Sequence, residues 1–340
     1  MILKRYILKE FLRIFLITVL SFITIDILIE FLDKADSLFK NNAGVSEIIR
    51  FFIYQTPFVF YQTVPISVLL ATLISLGILS RHNEITATKA GGVNILSVIS
   101  PIIGFSVLVS LFCLMLNEYI MPVTNARADA IRREKIEGRP AGPNFRQGRV
   151  WYRGEGTIFT IESIGPDAKA LNGVTVYEVG KDMAIMGRID ARAAEWDGTR
   201  WVAKDALIRK FSGPRVTEAA QTKSAVLSGL GAGPDDFQGP AELAESMSIS
   251  GLRSYARSLL AQGYDATRYF VDLHSKLAFP FVNIVVVLLA VPFALKTGRH
   301  GGIAAGIGIS AAIAFSYWLI FAASTSLGRG GILPPVVSAW

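Results

Sequence analysis

Asp26 and Glu30 stand four residues apart inside an apolar run, so on a helix they share one face. Ionisable groups at membrane depth are costly and are candidates for function by default. This pair fits a polar substrate path; packing or interfacial hydration near the outer end of a span fits it as well. His82, His274 and His300 are scattered, with no spacing that converges on a metal or builds a triad. The nearest approach to a phosphate-binding loop runs from Gly173 to Gly180-Lys181. It has six intervening residues in place of four, continues with Asp182 where Ser or Thr is needed, and reads as a strand. The chain does not hydrolyse ATP by that route.

A second group of residues suggests contacts with other molecules. The short polar loop Ser80–Asn94, SRHNEITATKAGGVN, contains Arg81, Glu84, Thr88 and Gly91 in an order that predicts a stubby helix with a glycine stop. It is either a plain connection or a knob that fits a groove on a separate ATPase and moves the flanking spans. Lys34 and Lys40 follow the first span, and Arg127, Arg132 and Arg133 follow the third. Their donors suit a phosphorylated lipid headgroup, while a solvated basic face beside Asp129 and Glu134 explains them equally. Gly302, Gly306 and Ser310 give the fifth span a small-residue face that lets a helix approach closely. From Arg188 to Ala194 charged residues alternate with small ones. One face is then solvated, and the other takes an acyl chain or a tightly packed neighbour.

The elements that must position these residues follow from composition. The 340 residues are 51% hydrophobic and 18% charged, with a mean hydropathy of +0.44, which marks a membrane protein. Of the charged residues, 21 Lys/Arg and 19 Asp/Glu fall within 123–274. The net charge of +7 therefore belongs mostly to membrane ends, not to a nucleic-acid-binding face. Cys113 is the only cysteine and lies in an apolar run, so neither an intrachain disulfide nor a cysteine metal site is available.

Runs long enough to cross ~30 Å of hydrocarbon, about 20 helical residues, occur at Phe11–Phe31, Phe58–Leu79, Val98–Glu118, Leu277–Leu295 and Gly302–Ala323. With the N-terminus in the cytoplasm, eight basic residues flank the inner span ends against four in the short outer loops. Residues 123–274 then lie outside the cytoplasm. They read as short β-strands, among them Arg149–Arg153, Thr157–Ile164 and Val174–Val179, arranged as a sandwich, jelly roll or open barrel. Asp197-Gly198 suits a two-residue hairpin turn that places Trp196 and Trp201 diagonally on one face. Ser250 is the expected cap of a helix that Gly263 stops. Asp265 caps a second helix that runs straight into the fourth span.

The order of these pieces, with SRHNEITATKAGG after the second span, resembles the LptF/LptG permeases of lipopolysaccharide export. Ser248-Ile-Ser-Gly-Leu252, Tyr255, Gly263, Asp265-Ala266, Arg268-Tyr269 and Lys276 look most like the LptG branch, and Gly331-Ile-Leu-Pro-Pro335 to Trp340 looks like the entry to the family's last helix. The resemblance implies an α-helical polytopic protein with an inserted periplasmic, all-β, jelly-roll-like domain. Five spans are complete, and the sixth is expected to be cut off at Trp340. It divides the chain into a first transmembrane half at 1–122, the β-domain with its helical joint at 123–274, and a second transmembrane half at 275–340. It further implies a non-catalytic permease subunit in the bacterial inner membrane, with an LptF-like permease, an LptB-like ATPase dimer that binds ATP and Mg, and an LptC-like single-span protein as partners. Lipopolysaccharide is the implied substrate, Glu84 the implied contact to the ATPase, and spans one and five the implied lateral gate.

Overall fold

The computed structural model describes the chain except residues 1, 41–43, 137–143, 147–148, 155, 165–167, 181–183, 213–214, 228–233, 235–243, 245, 262 and 298–301. Among the described residues, five helices are long and apolar enough to cross a membrane. The first is α1, Ile2–Lys40, and the second is α2, Val45–Arg81. After a seven-residue helix α3, Glu84–Ala90, the third span runs as α4, Ile95–Met115, a π turn at Leu116–Ile120, α5, Met121–Ile131, and a second π turn at Arg132–Ile136. Pro122 has no N–H to give, and the wider π turn before it accommodates the lost bond. The helix therefore continues well past Glu118, where the apolar run stops.

Helix α2 is the axis of the bundle. It packs against α1, α5 and the two helices of the second half, α8 (Val282–Thr297) and α9 (Gly302–Arg329). Val64, Val68, Leu69 and Leu76 are fully buried along it. Thr63 and Thr72 sit among them because their hydroxyls donate to carbonyls four residues back, at 2.9 and 2.7 Å, so neither hydroxyl is stranded in the apolar interior.

The inserted region is an antiparallel sheet with sequential strand order, β1 (Asn144–Arg146), β2 (Arg149–Gly154), β3 (Thr157–Ile161), β5 (Ala170–Val179), β6 (Ile185–Trp196), β7 (Trp201–Ser212) and β8 (Arg215–Val226). The two-residue β4 (Ser163–Ile164) pairs with β5 off this path. Among the described residues this is an up-and-down meander. Its core is closed by two helices, α6 (Ile249–Ala261) and α7 (Thr267–Ala278). Leu252, Tyr255, Ala256 and Leu259 of α6 and Tyr269 and Leu273 of α7 pack against Val150, Phe159, Leu171, Val174 and Trp201.

Several local expectations are corrected. The hairpin between β6 and β7 has a four-residue loop, Asp197 to Arg200, because the Asp197 carboxylate accepts from the backbone N–H groups of Thr199 and Arg200 and holds a wider turn. Trp196 and Trp201 are consequently paired directly, with ring centroids 5.3 Å apart. Helix α6 is capped by Ser248, whose Oγ accepts from the N–H of Gly251 at 3.0 Å; Ser250 lies inside the first turn. Gly263 does end that helix, at a φ of +84°. The small residues of β6 and β7, Ala191, Ala194, Ala203 and Ala206, are buried core positions packed in one cluster with residues of the two helices. Helix α7 continues through a 3₁₀ turn at Phe279–Phe281 into α8, so the joint and the fourth span form one rod.

Candidate functional site

Two polar constructions stand at opposite ends of the bundle. The first is α3. Asn83 adopts a left-handed backbone, φ 60°, which turns the chain sharply out of α2, and Gly92 at φ +77° turns it back toward α4. The N–H of Val93 closes that second turn onto the carbonyl of Thr88 at 3.2 Å. Ile85 is buried in the bundle core and pins the helix, while Arg81, Lys89 and Gly91 are exposed. The Thr88 hydroxyl donates to the Glu84 carbonyl at 2.7 Å and stiffens the single turn. The Glu84 carboxylate is over a third exposed, accepts from the Tyr6 hydroxyl of α1 at 3.3 Å, and lies 4.0 Å from Nδ1 of His82. This is a short polar seven-residue helix whose acid is partly exposed and is met by α1 and by the residue that follows α2.

The second is a cleft at the β-region end, lined by Glu30 and Lys34 of α1, Phe51, Gln55 and Phe58 of α2, Asn125, Asp129 and Arg132 of the third span, and Ser246 below α6. Each cation here has a carboxylate beside it. Lys34 pairs with Glu30 one turn away and lies 4.5 Å over the ring of Phe51, and Glu30 also accepts from the Gln55 amide. Arg132 reaches Asp129 at 3.0 Å. With each charge balanced in place, the cleft has two cations whose carboxylate partners an incoming anion has to displace.

The five proposed headgroup contacts therefore divide. Lys34 and Arg132 share the cleft. Arg127 lies with its Cζ 5.4 Å over the Tyr54 ring and donates to that hydroxyl at 3.4 Å. Lys40 is exposed at the end of α1, and Arg133 is half-buried with contacts of its own. Of the polar pair in the first span, Glu30 lines the cleft and Asp26 does not. Ser310 is buried in α9, whereas the surroundings of Gly302 and Gly306 lie outside the described residues. Gln55 and Tyr6 were not singled out in the sequence. An amide inside an apolar span was the available signal for Gln55, but nothing marked Tyr6 among the aromatic residues of a membrane end.

The profile described as lipopolysaccharide export system permease LptF/LptG matches residues 5–340. The chain belongs to this family. It is 22% identical over 318 residues to the lipopolysaccharide export system permease protein LptG of Escherichia coli (strain K12), covering 93% of this chain and 87% of that protein. The LptG of Haemophilus influenzae (strain ATCC 51907 / DSM 11121 / KW20 / Rd) is 22% identical over 323 residues, 94% and 88% of the two chains. As an LptF/LptG permease, the chain has α3 between its second and third spans and the cleft where its first three spans meet the β-region.

Proposed function

We propose that this LptF/LptG-family chain is the permease half of an ATP-driven exporter that lifts lipopolysaccharide from the outer leaflet of the bacterial inner membrane and passes it to a periplasmic bridge. The observation that carries this reading is α3: a polar stub fixed by Ile85 between two spans, on a chain whose sequence shows no phosphate-binding loop. Such a stub receives force from another polypeptide. An LptB-like ATPase dimer, holding ATP and Mg, supplies it at Arg81, Glu84, Thr88 and Gly91. The N-terminus and α3 then lie in the cytoplasm, and the β-region lies in the periplasm.

The exposed apolar faces of α1 and α9 accept an LptF-like second permease and an LptC-like single span, and together they enclose the lipid. Leu16, Leu20 and Leu28 of α1 and Phe315, Trp318 and Leu319 of α9 supply those faces. In the cleft, a lipid phosphate exchanges with Glu30 and Asp129 for Lys34 and Arg132, with donors suited to phosphate oxygens.

Glu84→Lys tests the reading at its carrying point. Assembly with the second permease is expected to survive, while capture of the ATPase weakens by about tenfold or more, the scale of reversing a charge at an interface. Undiminished capture removes Glu84 from the mechanism.

A further inference from the structure

Three polar contacts fasten the base of the β-region to the helical bundle. Glu118, on the first π turn, accepts from the backbone N–H of Ser250 at 3.2 Å and from its hydroxyl. Lys276 of α7 donates from Nζ to the carbonyl of Met247 at 2.6 Å. The third contact ties α7 to the fifth span: Nε and Nη2 of Arg329, at the end of α9, donate to Oδ1 of Asp272 in α7, at 3.0 and 2.7 Å. The Asp272 side chain is 10% exposed and that of Arg329 is 48% exposed.

The packing around this pair is close. A Cβ on Gly328 would stand 3.1 Å from Cγ2 of Val271 and would collide with Ser338. Ser338 belongs to the short helix α10, Pro335–Ala339, which packs on both α7 and α9. Glycine at 328 is what lets the three helices meet. Away from this end α9 is mostly uncovered, with only 6% of its apolar stretch buried. Helix α7, in contrast, faces two ways. Tyr269 and Leu273 lie in the core of the β-region, while Val271 and Asp272 turn toward the end of α9.

We propose that Asp272 and Arg329 form a latch that makes α7 the transmission between the fifth span and the sheet, so that displacement of α9 is delivered to the β-region instead of being lost in the membrane. Both are positioning residues and touch no substrate. Breaking a pair with a buried member leaves an uncompensated charge, so the end of α9 and α7 separate only with difficulty and move together. The inference deepens the export reading and rests on it for the use to which the movement is put.

The test uses the full chain in lipid vesicles, with spin labels on Phe315→Cys of α9 and Met186→Cys of β6, both exposed positions, while the buried Cys113 stays unlabelled. Pulsed electron spin resonance is expected to give one narrow distance distribution in the parent. Asp272→Asn and Arg329→Gln should each broaden it, and the swap of Asp272→Arg with Arg329→Asp should narrow it again. If Asp272→Asn does not accumulate, Arg329→Gln at the half-exposed partner and the swap decide the matter. Widths unchanged in the single variants, or a swap as broad as they are, overturn the latch. In complex with the second permease and the ATPase, each single variant should assemble and hydrolyse ATP normally yet lose about tenfold in lipid released per ATP, within the range of coupling between distant sites. Undiminished release overturns the proposal. A parent complex that releases no lipid sinks the export reading instead, and the distance widths still judge the latch.

Discussion

Helices α2 and α9 are nearly equal in apolar character and opposite in use. Their most apolar stretches have mean hydropathies of 2.0 and 1.7, yet 67% of the first and 6% of the second is buried within the chain. In hydrocarbon an apolar side chain gains little from being moved out of lipid, so burial is governed by fit and by polar residues that need partners. Helix α2 has Ser67, Thr72 and Ser75 fully buried and packs against helices of both halves of the chain. Helix α9 presents Phe315, Trp318, Leu319 and Ile320, all over half exposed, to whatever lies beside the chain. The bundle is built around one helix, and another is held in reserve for contacts beyond the chain.

Mutations sharpen that contrast. Leu76→Ala in α2 removes a fully buried side chain and is expected to lower stability by about 2–5 kcal/mol, read as thermal unfolding in detergent. Next in size, a photo-crosslinker at Phe58 or Asn125, both on the wall of the cleft, should capture lipopolysaccharide, and Lys34→Ala should cut that yield severalfold. Equal yield from the variant would show that Lys34 does not hold the headgroup. Trp318→Ala in α9 should change the unfolding of the chain by less than about 0.5 kcal/mol while reducing capture of the second permease. A large loss of stability there would mean that α9 is a core element.

The smallest effect lies in the β-region. The turn N–H groups of Thr199 and Arg200, with the Thr199 and Arg200 side chains, hold the Asp197 carboxyl down to about 2, from an ordinary 3.8. A depressed carboxyl stabilises the fold above its unfolded value and loses that contribution as pH falls through its folded one. Fluorescence of the adjoining Trp196–Trp201 pair should therefore change in acid between about pH 4 and pH 2, and Asp197→Ala should abolish that step. An unchanged titration in the variant would assign the step elsewhere.

Hydropathy made the spans legible, and alternation with turn residues made the strands legible, because both patterns report burial directly. The ends of elements were less so. Ser248 and Ser250 are equally good caps by type, and only the backbone conformation decides which hydroxyl meets the N–H of Gly251. Around Asp205, at φ 50°, the buried set on β6 and β7 changes phase, from Ala191 opposite Ala206 to Ala194 opposite Ala203. A strict two-residue period cannot foresee that kink. At the sites, Glu84 and Lys34 were visible as charges in or beside apolar runs. Partners distant in sequence were not: Tyr6 is 78 positions from Glu84, and Arg329 is 57 from Asp272. Such pairs exist only once the helices have packed.

On the proposed reading, force enters at α3 from a separate ATPase and does work on lipopolysaccharide at the far end of the bundle. Its most direct test is to co-purify the full-length chain with an LptF-like permease and an LptB-like ATPase in lipopolysaccharide-loaded vesicles and measure lipid released with and without ATP. A defined complex should release lipopolysaccharide only when ATP is added. Release that ignores ATP, or a stoichiometric complex that hydrolyses ATP and frees no lipid, would contradict it.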